Sequence, residues 1–142
     1  MNEDDWNECL ETSSSLRVTP DKAKARSLVD TALGRNTFLQ GIELKEENVN
    51  YIFEGYYSSA LEFLHALLVL NGYKVGNHLC AGYFLRDIVQ RDDLFRLFDN
   101  CRIRRNSLIY YGRKMDFETG KDTIVKTKRL IQELQKSIAE KQ

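Results

Sequence analysis

A single proline, Pro20, and eight glycines are spread over 142 residues. That is too little turn-forming material for many-stranded sandwiches or barrels, which need such punctuation every ~8–12 residues, so helix is the expected default. The longest uninterrupted apolar run is Ala66 to Leu70, and the opening Met1 to Glu11 is acidic where a secretion signal would be basic and then apolar. No membrane span or export is expected, and the expected compartment is cytoplasmic. The three cysteines, Cys9, Cys80 and Cys101, are odd in number and show no Cys-x-x-Cys spacing. They fit a reducing compartment and argue against both a disulfide framework and a structural zinc site. Neither sign of charge is in excess, with Lys plus Arg at 21 and Asp plus Glu at 21, which excludes a globally basic nucleic-acid binder or an acidic tail protein. There is no His-x-x-x-His, nucleophile elbow or phosphate-cradling glycine loop, so neither a metal nor a cofactor is expected.

What is present is an ordinary globular composition, 42% hydrophobic and 30% charged, in a chain the length of one domain. We read residues 1–142 as a single all-α domain, an antiparallel bundle of five to six helices. Residues 1–18 are expected to be weakly ordered or to form a short first helix, because Trp6, Cys9 and Leu10 lie at helical spacing but run into Thr12-Ser13-Ser14-Ser15. Thr19-Pro20-Asp21 predicts a helix beginning at Pro20, with Ala25, Leu28, Val29, Ala32, Leu33 and Leu39 inward and Gly41 at its end. The central helix is the clearest, since Val49, Ile52, Phe53, Tyr56, Tyr57, Ala60, Leu61, Leu64, Leu67 and Leu68 keep helical periodicity until Asn71-Gly72. After a short link at Gly76-Asn77, a further helix is predicted with Leu79, Tyr83 and Ile88 inward. A late helix from Asp92 or Asp93 to Gly112 follows, then a loop from Asp116 to Gly120 and a last helix carrying Ile124, Leu130, Ile131, Leu134 and Ile138.

Positive charge is concentrated in one place. Arg102, Arg104, Arg105, Arg113 and Lys114 fall within thirteen residues that contain no acid. Arg102, Asn106 and Tyr110 are four apart and share a helical face, so a guanidinium, an amide and a phenol converge there. A planar guanidinium fork suits phosphate oxygens, and a tyrosine offers a stacking face and a hydroxyl, although an arginine run on an amphipathic helix is equally the signature of a solvated face. His65, between Leu64 and Ala66, reads as a semi-buried, hydrogen-bonded histidine, while His78 either is structural or faces a cleft. The carboxylate pairs Asp4-Asp5, Glu46-Glu47 and Asp92-Asp93 read as helix-start charges, and Tyr56-Tyr57 as core packing.

The segments Tyr56-Tyr57-Ser58-Ser59-Ala60-Leu61-Glu62-Phe63-Leu64-His65-Ala66-Leu67-Leu68, Asn71-Gly72 with Asn77-His78, and Arg105-Asn106-Ser107-Leu108-Ile109-Tyr110-Tyr111-Gly112 together resemble the HEPN superfamily. Its members are small helical bundles of prokaryotic toxin–antitoxin and defence systems, often encoded beside a nucleotidyltransferase. The likeness covers the chain from Pro20 onward. It implies a homodimer whose late helices share a basic cleft, and in catalytic members a metal-independent ribonuclease built on an arginine, a neighbouring polar residue and a histidine. Carried over, Arg105 is the arginine and Asn106 its polar neighbour, while Tyr110 stands where the histidine belongs. A phenol, with a pKa of about 10, is a poor base beside an imidazole at about 6.5. Two readings therefore stand. In the first, RNA or a nucleotide phosphate is bound by Arg105 and Tyr110, the candidate catalytic pair, with Arg102, Arg104, Asn106, Tyr111, Arg113 and Lys114 around them. His78 would be accessory if the fold brings it near Arg105. In the second, the chain is a non-catalytic bundle that docks a protein partner such as a nucleotidyltransferase. The acidic start is a candidate mask over the basic helix.

Overall fold

The computed structural model describes residues 5–141. Among them are six helices and one two-stranded ribbon: α1 (Asp5–Glu11), β1 (Ser15–Arg17), α2 (Lys22–Gln40), α3 (Val49–Leu70), β2 (Tyr73–Val75), α4 (His78–Asp87), α5 (Asp92–Tyr111) and α6 (Phe117–Lys141). The molecule is thus mostly helical, as the scarcity of turn residues predicts. No described helix is long and apolar enough to cross a membrane.

α3 is the central helix, with α2 and α6 as its principal neighbours. Phe53, Ala60, Phe63, Leu64, Ala66 and Leu68 on α3 are wholly buried. Each large apolar side chain among them contributes about 1.5–3 kcal/mol of burial. Gly120 fits the start of α3 closely, because a methyl group in its place would stand 2.6 Å from Val49 Cγ2. This glycine lies inside α6 rather than in the expected loop. The loop is shorter because Asp116 caps the helix, its Oδ1 accepting from the Thr119 amide at 2.8 Å. Likewise α2 starts at Lys22 and not at Pro20, since it is the Asp21 carboxylate that accepts from the Lys24 amide.

The ribbon is the element sequence periodicity did not predict. β1 pairs antiparallel with β2 in the register Ser15 to Val75 and Arg17 to Tyr73. Gly72, at φ +82°, makes the turn out of α3 and accepts from the Val18 amide at 2.8 Å. The ribbon folds α1 back onto α4, and there Cys9 and Cys80 form a disulfide with Cα atoms 6.1 Å apart. This corrects the expectation that the cysteines stay unpaired. The partners are 71 residues apart, and no spacing rule could have matched them. Only Cys101 is a free thiol, buried and 3.2 Å from Thr127 Oγ1. With that pairing, the cysteine argument for a reducing compartment falls away.

α4 also turns a different face inward from the one expected. Cys80, Ala81, Phe84 and Leu85 are buried, whereas Leu79 and Ile88 are 39% and 38% exposed. The helix is squeezed between α1 and α5, and small residues let the neighbours close in: a methyl at Gly82 would meet Phe95 and Phe98 at 3.3 Å. α5 begins at Asp92 and ends at Gly112 in the left-handed conformation, as its sequence predicts.

Candidate functional site

One turn at the start of α4 and one face of α5 enclose a pocket of about 470 Å³. α5 contributes Arg102, Arg105, Asn106 and Tyr110, and the α4 start contributes Gly76, Asn77, His78 and Leu79. The four-residue spacing of 102, 106 and 110 does put those side chains on one surface. Among the described residues no acid lines the pocket itself, although the Asp99 carboxylate contacts its lining through Arg102.

The α4 start is fixed by its own cap. Asn77 is extended, and its Oδ1 accepts from the Cys80 amide at 2.8 Å. His78 therefore opens the helix, where the positive end of the helix dipole favours an anion. Its Nδ1 lies 2.9 Å from the hydroxyl of Tyr57. Tyr57 sits in the core, 2% exposed and stacked on Phe98 at 6.0 Å. Burial holds its hydroxyl protonated far above the ordinary phenol range, although Arg105 and Arg102 pull the other way. The imidazole shifts downward instead: burial, then the positive charge of Arg105, lowers the His78 pKa below its ordinary value. The shift favours the neutral ring, with Nδ1 tied to Tyr57 and the imidazole lining the pocket.

Arg105 forms no ion pair among the described residues. Its guanidinium carbon lies 5.9 Å from the centre of the Tyr57 ring and 5.8 Å from that of Tyr110. Arg102 is partly committed, because its Nε and Nη2 both donate to Asp99 Oδ1, at 3.0 and 2.8 Å. The pocket therefore offers one unpaired guanidinium, a second that is half engaged, an amide, a phenol and a neutral imidazole.

Of the residues singled out in the sequence, Arg102, Arg105, Asn106, Tyr110 and His78 come together here. Arg104, Tyr111, Arg113 and Lys114 do not. Arg104 is exposed outside the pocket, and the other three lie at and beyond the end of α5, with Arg113 over Tyr111 and Lys114 over Tyr51. Tyr57 is the residue that periodicity missed. It packs in the core as expected, yet a buried phenol needs a partner for its hydroxyl, and that rule was the one signal pointing beyond packing. His65 lines a separate cavity of about 370 Å³ with Lys24, Leu28 and Tyr73. It is half-buried as expected, but its ring makes no hydrogen bond among the described residues; burial and then Lys24 lower its pKa.

The acidic start does not reach this pocket through Asp5. Its carboxylate pairs with Arg86 on α4 at 3.4 Å, and the neighbouring Trp6 amide donates to Asp87 Oδ2 at 3.0 Å. Glu3 and Asp4 lie outside the described residues. Comparison with family models, with curated proteins and with solved structures finds no match to this chain.

Proposed function

We propose that the α4–α5 pocket binds the phosphodiester backbone of RNA, and that His78 supplies the proton chemistry the late helix lacks. The observation that carries this reading is that His78 and Arg105, which has no ion pair among the described residues, line one pocket. Arg105 offers a fork for two phosphate oxygens, Asn106 an amide donor, and the α4 start a favourable dipole. A strand bound there has a 2′-hydroxyl next to each phosphorus. His78 Nε2 takes the proton of that hydroxyl while O2′ bonds to phosphorus and the bond from phosphorus to O5′ breaks. The leaving oxygen takes the Tyr110 phenol proton, solvent restores the phenol, and His78 releases its own proton. The products are a 2′,3′-cyclic phosphate and a 5′-hydroxyl. Arg105 faces the charge that grows on the phosphoryl oxygens. The Tyr57 hydroxyl donates or accepts as the ring tautomer requires; with the proton on Nδ1, the Nε2 lone pair is the base.

The HEPN-like reading belongs to the same proposal, with a homodimer and a role in a toxin–antitoxin or defence system. Ile103 and Ile109, 52% and 41% exposed on α5, support a face covered by a second copy. A nucleotidyltransferase partner follows from the resemblance alone. A monomeric mass in light scattering at micromolar concentrations would remove the dimer from the proposal.

The test is anisotropy of a labelled single-stranded RNA at rising salt, with cleavage of the same strand followed on a gel. Affinity should fall steeply with ionic strength and be lost in Arg105→Ala. His78→Gln should keep binding and lose cleavage, and Tyr110→Phe should slow cleavage less. Binding indifferent to salt and to Arg105→Ala would move the protein to the class of non-catalytic interaction modules.

A further inference from the structure

We propose that Tyr110, Tyr111 and Tyr51 form a stacking track for the bases of a single strand that leaves the phosphate pocket. This rests on the RNA reading above and specifies which form of the nucleic acid is bound. These rings are 68%, 72% and 56% exposed. Tyr110 and Tyr111 are chain neighbours at the end of α5, and Lys114, three residues on, lies over Tyr51, so the fold links the three exposed rings.

Each ring is also held by a cation. Arg105 lies over Tyr110 at 5.8 Å, Arg113 over Tyr111 at 5.4 Å and Lys114 over Tyr51 at 5.6 Å. A ring has two faces. The cation lies over one, and the high exposure of each ring leaves aromatic surface for a base.

Tyr51 joins the group only through the fold. It belongs to the first turn of α3, far in sequence from the other two. Asn50 Nδ2 donates to the Met115 carbonyl at 3.0 Å, and the Met115 amide donates to Asn50 Oδ1 at 2.8 Å. This two-way pair, with Asn50 only 6% exposed, closes the segment 112–116 onto α3 and brings Lys114 over Tyr51. Of the acids near this end, Asp116 has its carboxylate engaged by the Thr119 amide and hydroxyl, while Glu54 lies one turn beyond Tyr51 on α3. At the other end Tyr110 lines the pocket itself, so the track begins where the phosphate sits. Duplex bases are already stacked on one another and show no free faces, so the track selects single strands.

The experiment compares a trinucleotide, a dodecanucleotide and a duplex of the same length on the full chain, by anisotropy at fixed salt. Tyr51→Ala and Tyr111→Ala should each weaken the dodecanucleotide by about 5- to 100-fold and leave the trinucleotide and the duplex unchanged. Tyr51→Phe and Tyr111→Phe keep the ring and should keep the affinity. An unchanged dodecanucleotide affinity in both alanine variants overturns the track. Equal losses on all three probes overturn it too, because that pattern reports charge or shape rather than stacking. Arg105→Ala separates the two readings: if it abolishes binding while the tyrosine variants do nothing, the pocket stands and the track falls. If it also does nothing, the RNA reading itself has failed.

Discussion

Around α3 the protein is held mainly by apolar surface, whereas the corner where α1, the ribbon and α4 meet is held by discrete cross-links. In the first region Phe53, Phe63 and Leu64 are wholly buried, with the half-buried Arg35 and Glu62 pairing between α2 and α3 at its edge. In the second the ties are the disulfide between Cys9 and Cys80, Asp5 with Arg86, the Trp6 amide with Asp87, and the Gly76 amide with the Ser14 carbonyl at 2.7 Å. The pocket lies where these regions meet: Tyr57 comes from the apolar core and His78 from the cross-linked corner. The core supplies stability, and the corner sets where His78 stands.

Removing a core ring is the harshest way to test that division. Phe63→Ala should cost about 3–5 kcal/mol, a large part of the stability of a typical domain, read from the denaturant midpoint. RNA affinity of the fraction that remains folded should not change. If affinity falls in step with stability, the core does more than support. Breaking the disulfide sharpens the contrast from the other side. Cys9→Ser, or reduction of the wild type, should cost about 2–4 kcal/mol in the same denaturation assay. It should also broaden or shift the His78 ring resonance in NMR spectra, while the core methyl signals stay in place.

Acid should separate the regions more gently. Burial lowers the pKa of both His65 and His78 in the folded state, so on acidification the unfolded chain takes up protons first. Stability contributed by keeping these rings neutral is present above the unfolded value of about 6.5 and is lost as pH falls from there toward the lowered folded values. Tm should therefore drop as pH falls below about 6.5. The drop should be shallower in His65→Gln; an identical pH profile would mean that the His65 environment is solvated. The smallest effect belongs to the outer face of α6, where Lys126 and Asp122 pair in solvent at 3.1 Å. Lys126→Ala should change stability by less than about 0.5 kcal/mol, which serves as the baseline for the other variants.

How much could be seen in the sequence differs between the two regions for the same reason. α3 and α5 were legible because one amphipathic period runs through each and glycine or asparagine stops it, all within a few residues. The basic run on α5 was legible too, down to the shared face of Arg102, Asn106 and Tyr110. Tyr110 stands where the resemblance alone implied a histidine, and no local pattern could tell that His78, on another element, lines the same pocket. The inward face of α4 was misjudged because a short helix between two neighbours has no single buried stripe. The cysteine pairing was misjudged because it depends on a ribbon of two three-residue strands, too short for alternation to stand out in the sequence.

The sequence by itself determined the helical class, the central helix, the late basic helix and the C-terminal ends of α2, α3 and α5, since periodicity and capping act over one to four residues. Tertiary structure alone decided that Cys9 meets Cys80, that Tyr57 holds His78, that His78 shares a pocket with Arg105, and that Lys114 covers Tyr51. Those are meetings between residues tens of positions apart, fixed by which apolar faces bury one another and by the few cross-links that fasten the chain where it returns.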